Sequence, residues 1–168
     1  AARLAGSAPG VLRGVGGNPT RTGLLAILQL LGADIRLHPV AAQGGEPVAD
    51  IEVRPGPLRG IAVPREFVAS AIDEFPVLFA AAAVAQGETR VTGAAELRVK
   101  ESDRIAVMAE GLAALGVAAE VSPDGMRIQG GPVGAGVVES RGDHRVAMAF
   151  AVLAARAAAG HISFGEKL

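Results

Sequence analysis

Cysteine is absent from this 168-residue sequence, and so are tryptophan and tyrosine. Without cysteine there is no disulfide, no thiolate metal site and no cysteine nucleophile. Five phenylalanines are the whole aromatic complement. The core must therefore be largely aliphatic, and base-stacking platforms for single-stranded nucleic acid are hard to build. An excess of positive charge is lacking too, since the formal net charge is −1 and a nucleic-acid surface normally has to be basic. Every apolar run is cut by Arg, Asp, Gly or Pro before it reaches membrane length, and the chain does not open as a signal peptide. His38, His144 and His161 are scattered without metal-ligand spacing. The expectation is no nucleic acid, no membrane and no metal. The first residue is alanine rather than methionine, so a cytoplasmic fragment is the economical reading.

Lysine is nearly absent as well. Of 16 basic residues only Lys100 and Lys167 are lysine, and Lys167 is penultimate. Lys100 lies in "LRVKESDRI" (residues 97–105), where two arginines, a lysine and two acids crowd nine positions of an otherwise apolar chain. A single internal lysine among arginines suggests that this position needs a compact ammonium rather than a guanidinium fork.

Half of the residues are apolar and 20% are charged, a globular composition. The length suffices for one good core or for small repeats sharing one. Four apolar runs, "LLAILQLLG", "VLFAAAAVAQG", "MAEGLAALG" and "FAVLAARAAAG", read as helices that end in glycine. Alternating segments such as "ADIRLHP", "ADIEVRP", "ETRVTG", "MRIQGG" and "HISF" read as strands. Pro123-Asp124-Gly125 signals a hairpin. Helices and strands alternate, which places the chain in the α/β or α+β layered class.

The chain also repeats. Leu12-Arg13-Gly14 matches Val91-Thr92-Gly93 at an offset of 79, and Leu31-Gly32 matches Leu115-Gly116 at an offset of 84. The second copy thus carries five extra residues, and they fall in the connector that holds "LRVKE". An enlarged loop leading into a helix is a common place for function.

Three helix starts share a chemistry: "NPTRTG", "ESDRI" and "GDHRVAM" each pair a polar cap (Asn18, Ser102, Asp143) with an arginine (Arg21, Arg104, Arg145). The caps satisfy first-turn N–H groups and read as ordinary. An arginine at the positive end of a helix dipole is mildly unfavourable unless an anion sits between them. Arg21 reads as structural. Arg104 comes with Lys100 and Glu101 at spacings of four and three, which places them near each other if the helix starts early, and the buried stripe of that helix is Ile105, Met108, Leu112 and Leu115. His144 and Arg145 open an Ala-rich helix that looks buried nearly all round. Asp73 and Glu74 precede Pro76 at another helix start, where dipole complementarity and binding of substrate hydroxyls are both open.

Together "DEFPVLFAAAAVAQGETRVTGAAELRVKESDRIAVMAEGLAALG", "GDHRVAMAFAV" and "RGVGGNPTRTGLLAILQLLGADI" resemble the 5-enolpyruvylshikimate-3-phosphate (EPSP) synthase family, from about Val11 to Ile162. The resemblance implies one domain of a two-domain enolpyruvyl transferase, built of repeated βαβαββ-type units with buried Ala-rich helices and mixed sheets. It divides the chain into a leader (1–10), three pseudo-repeats (about 11–60, 61–130 and 131–163) and a tail (164–168). The implied reaction moves the enolpyruvyl group of phosphoenolpyruvate to the 5-hydroxyl of shikimate 3-phosphate, without metal or organic cofactor, and glyphosate-type inhibitors are among the implied ligands. Carried over by motif, Asp73 hydrogen-bonds the shikimate hydroxyls and helps to deprotonate the attacking one, Glu101 supplies a proton to the methylene carbon of phosphoenolpyruvate and Lys100 contacts the reacting groups. Arg104, His144 and Arg145 then line the phosphoenolpyruvate site. Glu96 falls where some members place a polar neighbour of the shikimate phosphate; as a carboxylate it is not given that role. The implied N-terminal domain and a further active-site lysine have no counterpart here, and "ISFGEKL" does not match the context of that lysine. Two other readings stand beside this one: a relative acting on a UDP-sugar, and a non-catalytic module that binds phosphorylated metabolites.

Overall fold

A computed structural model describes residues 9–155 and 162–165, without the side chains of positions 41 and 43. The ends of the leader and tail, His161, Lys167 and the glycine closing "FAVLAARAAAG" lie outside the described residues. In chain order the elements are β1 (Gly10–Gly16), α1 (Gly23–Leu30), β2 (Asp34–Gln43), β3 (Glu46–Arg54) and a one-turn α2 (Val68–Ala71). Then come α3 (Phe75–Ala83), β4 (Gly87–Val91), α4 (Arg104–Ala114), β5 (Ala118–Ser122) and β6 (Gly125–Gly130). β7 (Gly136–Val138), α5 (His144–Ala154) and β8 (Ile162–Phe164) complete the set. The class is mixed α/β, as the alternation of periods requires.

The repeat is visible in the hydrogen bonds. Two antiparallel sheets have the same order, β1-β3-β2 and β4-β6-β5. The glycines matched in sequence have matching conformations, with φ of 64° at Gly14 and 78° at Gly93. Each donates its N–H to an aspartate of its own unit's following strand pair, Asp50 at 2.8 Å and Asp124 at 2.7 Å. Gly32 and Gly116 close α1 and α4 with φ of 96° and 77°. In both closures the next residue's N–H reaches back five positions, Ala33 to the Leu28 carbonyl and Val117 to that of Leu112, the Schellman pattern. The third glycine differs: α3 ends at Ala83, and Gly87 instead opens β4.

The segment 58–63 runs parallel to β4 through bridges at Arg59–Gln86 and Ala62–Arg90, and β7 runs parallel to β8. Helices α3 and α5 therefore make equivalent crossovers between parallel neighbours. Residues 58–130 give one strand-helix-strand-helix-strand-strand order. The Pro123-Asp124 hairpin forms as expected, with Ser122 opposite Gly125.

Helix α3 is the centre of the core: Phe75, Leu78, Phe79, Ala80, Ala82 and Ala83 are all inaccessible. It packs on α1, α4, α5 and β6, so it has no solvent face, and its alanines allow that close approach. Helix α5 does not match this pattern, contrary to the expectation of burial nearly all round. Val146, Ala149, Phe150 and Leu153 are buried, but Met148 is 57% exposed, because α5 packs mainly on α3, with α4 and β8 beside it.

Gly111 sits inside α4, where glycine normally costs stability. Its reason is Phe150: a Cβ on Gly111 would lie 2.2 Å from the end of that buried ring. Gly111→Ala is expected to destabilise the chain by about 1–3 kcal/mol through overpacking. A denaturant midpoint equal to the parent's would show that the ring gives way freely.

Candidate active site

The start of α4, the start of α5 and the 3-10 turn Ile72–Glu74 before α3 meet in one charged cluster. Its base is Asp143, the N-cap of α5, which is completely inaccessible. One carboxylate oxygen accepts the N–H groups of Arg145 (2.9 Å) and Val146 (3.3 Å). The other accepts from the Ser102 hydroxyl (3.0 Å) and from Arg104 Nε (2.8 Å). Burial pushes the Asp143 carboxyl up, but the Arg104 guanidinium, the helix N–H groups and Ser102 outweigh it and hold it below the usual carboxylate range.

Arg104 is the first residue of α4 and only 1% exposed. Besides Asp143 it donates to Asp73 Oδ1 at 3.3 Å and to the Glu101 carboxylate. A buried guanidinium with three carboxylate partners satisfies the rule that a buried charge must be paired. Lys100 Nζ lies 2.5 Å from Glu96 Oε1 and 3.4 Å from Asp73 Oδ1. Arg145 Nη1 donates to the Asp73 carbonyl at 3.0 Å and to Glu74 at 3.4 Å. Asp73 is thus the meeting point of three cations. Burial raises its carboxyl, while Lys100, Arg145 and Arg104 together pull it below the ordinary value, so it is ionised at neutral pH.

The structure therefore brings together Asp73, Lys100, Glu101, Arg104 and Arg145, the residues named from the sequence. His144 stands exposed at the first position of α5. Two details differ from the sequence reading. Helix α4 does not start early enough to carry Lys100 and Glu101; both precede it, and Lys100 closes the 3-10 turn Ala95–Val99. Ser102 is not the cap either. Asp103 accepts the Ala106 N–H at 3.0 Å, and Ser102 turns instead to Asp143.

Part of the "LRVKESDRI" charge is structural. Arg98 donates to the carbonyls of Pro123 (2.8 Å) and Ser122 (2.6 Å) and to Asp103 (2.7 Å), which pins the enlarged loop to the β5–β6 turn. Lys100 is left free of that duty. Asp143 reads from the sequence as an ordinary cap. The signal missing there is burial, since capping occupies only one of the two carboxylate oxygens.

One βαβαββ unit beside a shorter copy with the same sheet order is the fold of enolpyruvyl-transferase domains. Two solved structures carry this likeness. An EPSP synthase from Acinetobacter baumannii superposes with a TM-score of 0.91 at 45% identity, over 98% of this chain and 39% of that one. The enolpyruvyl transferase NikO from Streptomyces tendae, at a TM-score of 0.64 and 23% identity over 94% of this chain and 34% of that one, shares the fold. The sequence pattern of EPSP synthase (3-phosphoshikimate 1-carboxyvinyltransferase) matches residues 1–164, and the chain belongs to that family. It is 60% identical to the 3-phosphoshikimate 1-carboxyvinyltransferase of Xanthomonas axonopodis pv. citri over 93% of its own length. It is 65% identical to that of Alkalilimnicola ehrlichii over 87%. The chain spans about a third of the length of these relatives, 34% and 33% respectively.

Proposed function

We propose that this chain supplies one wall of the active site of a cytoplasmic 3-phosphoshikimate 1-carboxyvinyltransferase, with the wall facing it built by an N-terminal domain. A carbon–oxygen bond forms between the 5-hydroxyl of shikimate 3-phosphate and C2 of phosphoenolpyruvate. The methylene carbon takes a proton as this bond forms; the C2–O bond to phosphate then breaks, phosphate leaves with the proton of the hydroxyl, and the new methyl group gives back a proton to restore the C=C bond. The observation that carries this reading is the cluster itself: Asp73, Lys100, Glu101, Arg104 and Arg145, named by motif, come together at three helix starts. The repeat boundaries near residues 60 and 130 belong to the same proposal, as does competition by glyphosate-type inhibitors.

In this reading Arg145, His144 and Arg104 face the phosphoenolpyruvate anion, and Lys100 reaches the reacting oxygen atoms. Glu101, on an exposed residue beside Arg104, delivers the proton to the methylene carbon from its acid form, and the carboxylate left behind stabilises the cationic character that develops next to it. Asp73 accepts hydrogen bonds from shikimate hydroxyls; its lowered pKa suits an acceptor better than a strong base.

The test is phosphate release from a chimera in which this chain replaces the matching third of the Xanthomonas axonopodis relative. Release that requires both substrates is expected, and its absence in a folded chimera would sink the assignment. The chain alone should release none, because one wall cannot fix both substrates or exclude water.

Lys100→Arg in the chimera is expected to lower turnover by about tenfold or more, about 1.4 kcal/mol of transition-state stabilisation, with folding little changed. The ammonium sits between Glu96 and Asp73 at 2.5 and 3.4 Å, a space that a larger planar fork fills differently. Near-normal turnover of the purified variant would show that any cation serves.

A further inference from the structure

Lys100 already has a carboxylate partner on its outer side. Glu96 lies one turn before it, on the 3-10 turn Ala95–Val99, and reaches its ammonium at 2.5 Å. The Glu96 side chain is 61% exposed, against 22% for Lys100. The lysine is therefore the inner partner and the glutamate the outer one. Among the described residues Glu96 makes no other ion pair and caps no helix. The charges around Lys100 also point one way. Asp73, Glu74, Glu96, Glu101 and Asp143 face Lys100, Arg104 and Arg145, so the cluster holds more negative than positive charge. Such an excess opposes an incoming anion, and it falls when a carboxylate withdraws.

We infer that Glu96 is a built-in counter-anion, pairing with the Lys100 ammonium until a phosphate-bearing ligand arrives and then giving it up. The inference rests on the reading of Lys100 as a substrate-contacting residue. It assigns Glu96 a role in setting affinity, and none in the bond-making step. Its carboxylate orients the ammonium between binding events, which agrees with the raised pKa of Lys100, caused chiefly by the hydrogen bond that the lysine donates to Glu96. Displacing it costs little, since an exposed ion pair is weak and the released carboxylate returns to water. While it stays, it repels a ligand phosphate at short range.

The experiment uses the 168-residue chain, inorganic phosphate as the probe and the lysine Nζ resonances as the readout; only Lys100 and Lys167 contribute. Glu96→Gln is expected to tighten phosphate binding at Lys100 by about tenfold, the scale of one unit-charge repulsion near a surface. Glu96→Ala should do the same and guards against a glutamine that keeps the contact. Glu88→Gln removes the same charge from a distant pair with Arg90 and should leave the affinity within about twofold, as expected for a screened, separated charge. Unchanged or weaker binding in both Glu96 variants overturns the inference, as does equal tightening by Glu88→Gln. The lack of any phosphate effect on Lys100 in all chains, up to the solubility limit, overturns it too. An active chimera with any of these outcomes would leave the enzymatic reading standing and remove only the role of Glu96; an inactive, folded chimera together with tighter phosphate binding in both Glu96 variants would remove the enzymatic reading and leave the exchange of partners at Lys100.

Discussion

Asp143→Ala is expected to destabilise this chain by about 3–5 kcal/mol, the cost of leaving a buried charge without its partner. The carboxylate has no exposed surface and makes four hydrogen bonds, two to the α5 backbone, one to Ser102 and one to Arg104. Alanine would strip α5 of its cap and leave Arg104, itself 1% exposed, with Asp73 and Glu101 only. Asp143→Asn keeps an oxygen for the cap and removes only the charge, so it should cost less. Denaturant unfolding of the three chains measures the difference. A loss below about 1 kcal/mol for alanine, the size of an ordinary cap, would mean that the ion pair contributes nothing.

The same residue fixes a pH dependence. The folded Asp143 carboxyl lies below its unfolded value, because Arg104 and the helix N–H groups outweigh burial. Its stabilisation is therefore complete above the unfolded value of about 3.9 and is lost as pH falls through the lower folded value. Asp73 shifts in the same direction and adds to the effect. Stability should be flat from neutral pH down to about 5 on this account and fall steeply below about 4. Asp143→Asn should flatten that fall, and an unchanged acid limb would assign it to other carboxylates.

How much of this is legible in the sequence depends on the range of the interaction. The four longer helices, the hairpin at Pro123-Asp124 and the repeat follow from local rules: apolar period, turn residues and, for α1 and α4, glycine after the helix. The repeat can be read because the matched glycines Gly14 and Gly93, and Gly32 and Gly116, all need left-handed backbone and resist replacement. The site residues are named by motif, and their meeting is not derivable from spacing. Arg104 and Asp143 are 39 positions apart, and Arg145 and Asp73 are 72 apart. Burial is the hidden variable. It turns Asp143 from a cap into the base of the site, takes Ser102 away from capping, and leaves exposed the face of α5 that carries Met148. Arg98 and Lys100 look alike as charges in one loop, and only the carbonyls of Ser122 and Pro123 separate the structural cation from the available one.

That distinction selects the variant for testing substrate contact. Arg104→Ala is a poor choice, because it would orphan the buried Asp143 and confound binding with folding. Arg145 is a third exposed and spends Nη1 on the Asp73 carbonyl and Glu74; it is anchored without being buried. In the chimera, Arg145→Ala is expected to weaken phosphoenolpyruvate binding by about 2–5 kcal/mol, the range for removing one partner of a desolvated charge pair. That corresponds to roughly 30-fold to several thousand-fold in Kd. Binding of shikimate 3-phosphate alone should change by less than about tenfold, since its phosphate is held by the opposite wall in this reading. Calorimetry with each ligand separates the two. Thermal unfolding of the variant should stay close to that of the parent chimera, because the arginine's contacts are partly exposed and individually weak. Equal weakening toward both ligands would mean that Arg145 shapes the cluster as a whole, through the Asp73 carbonyl, rather than holding one substrate.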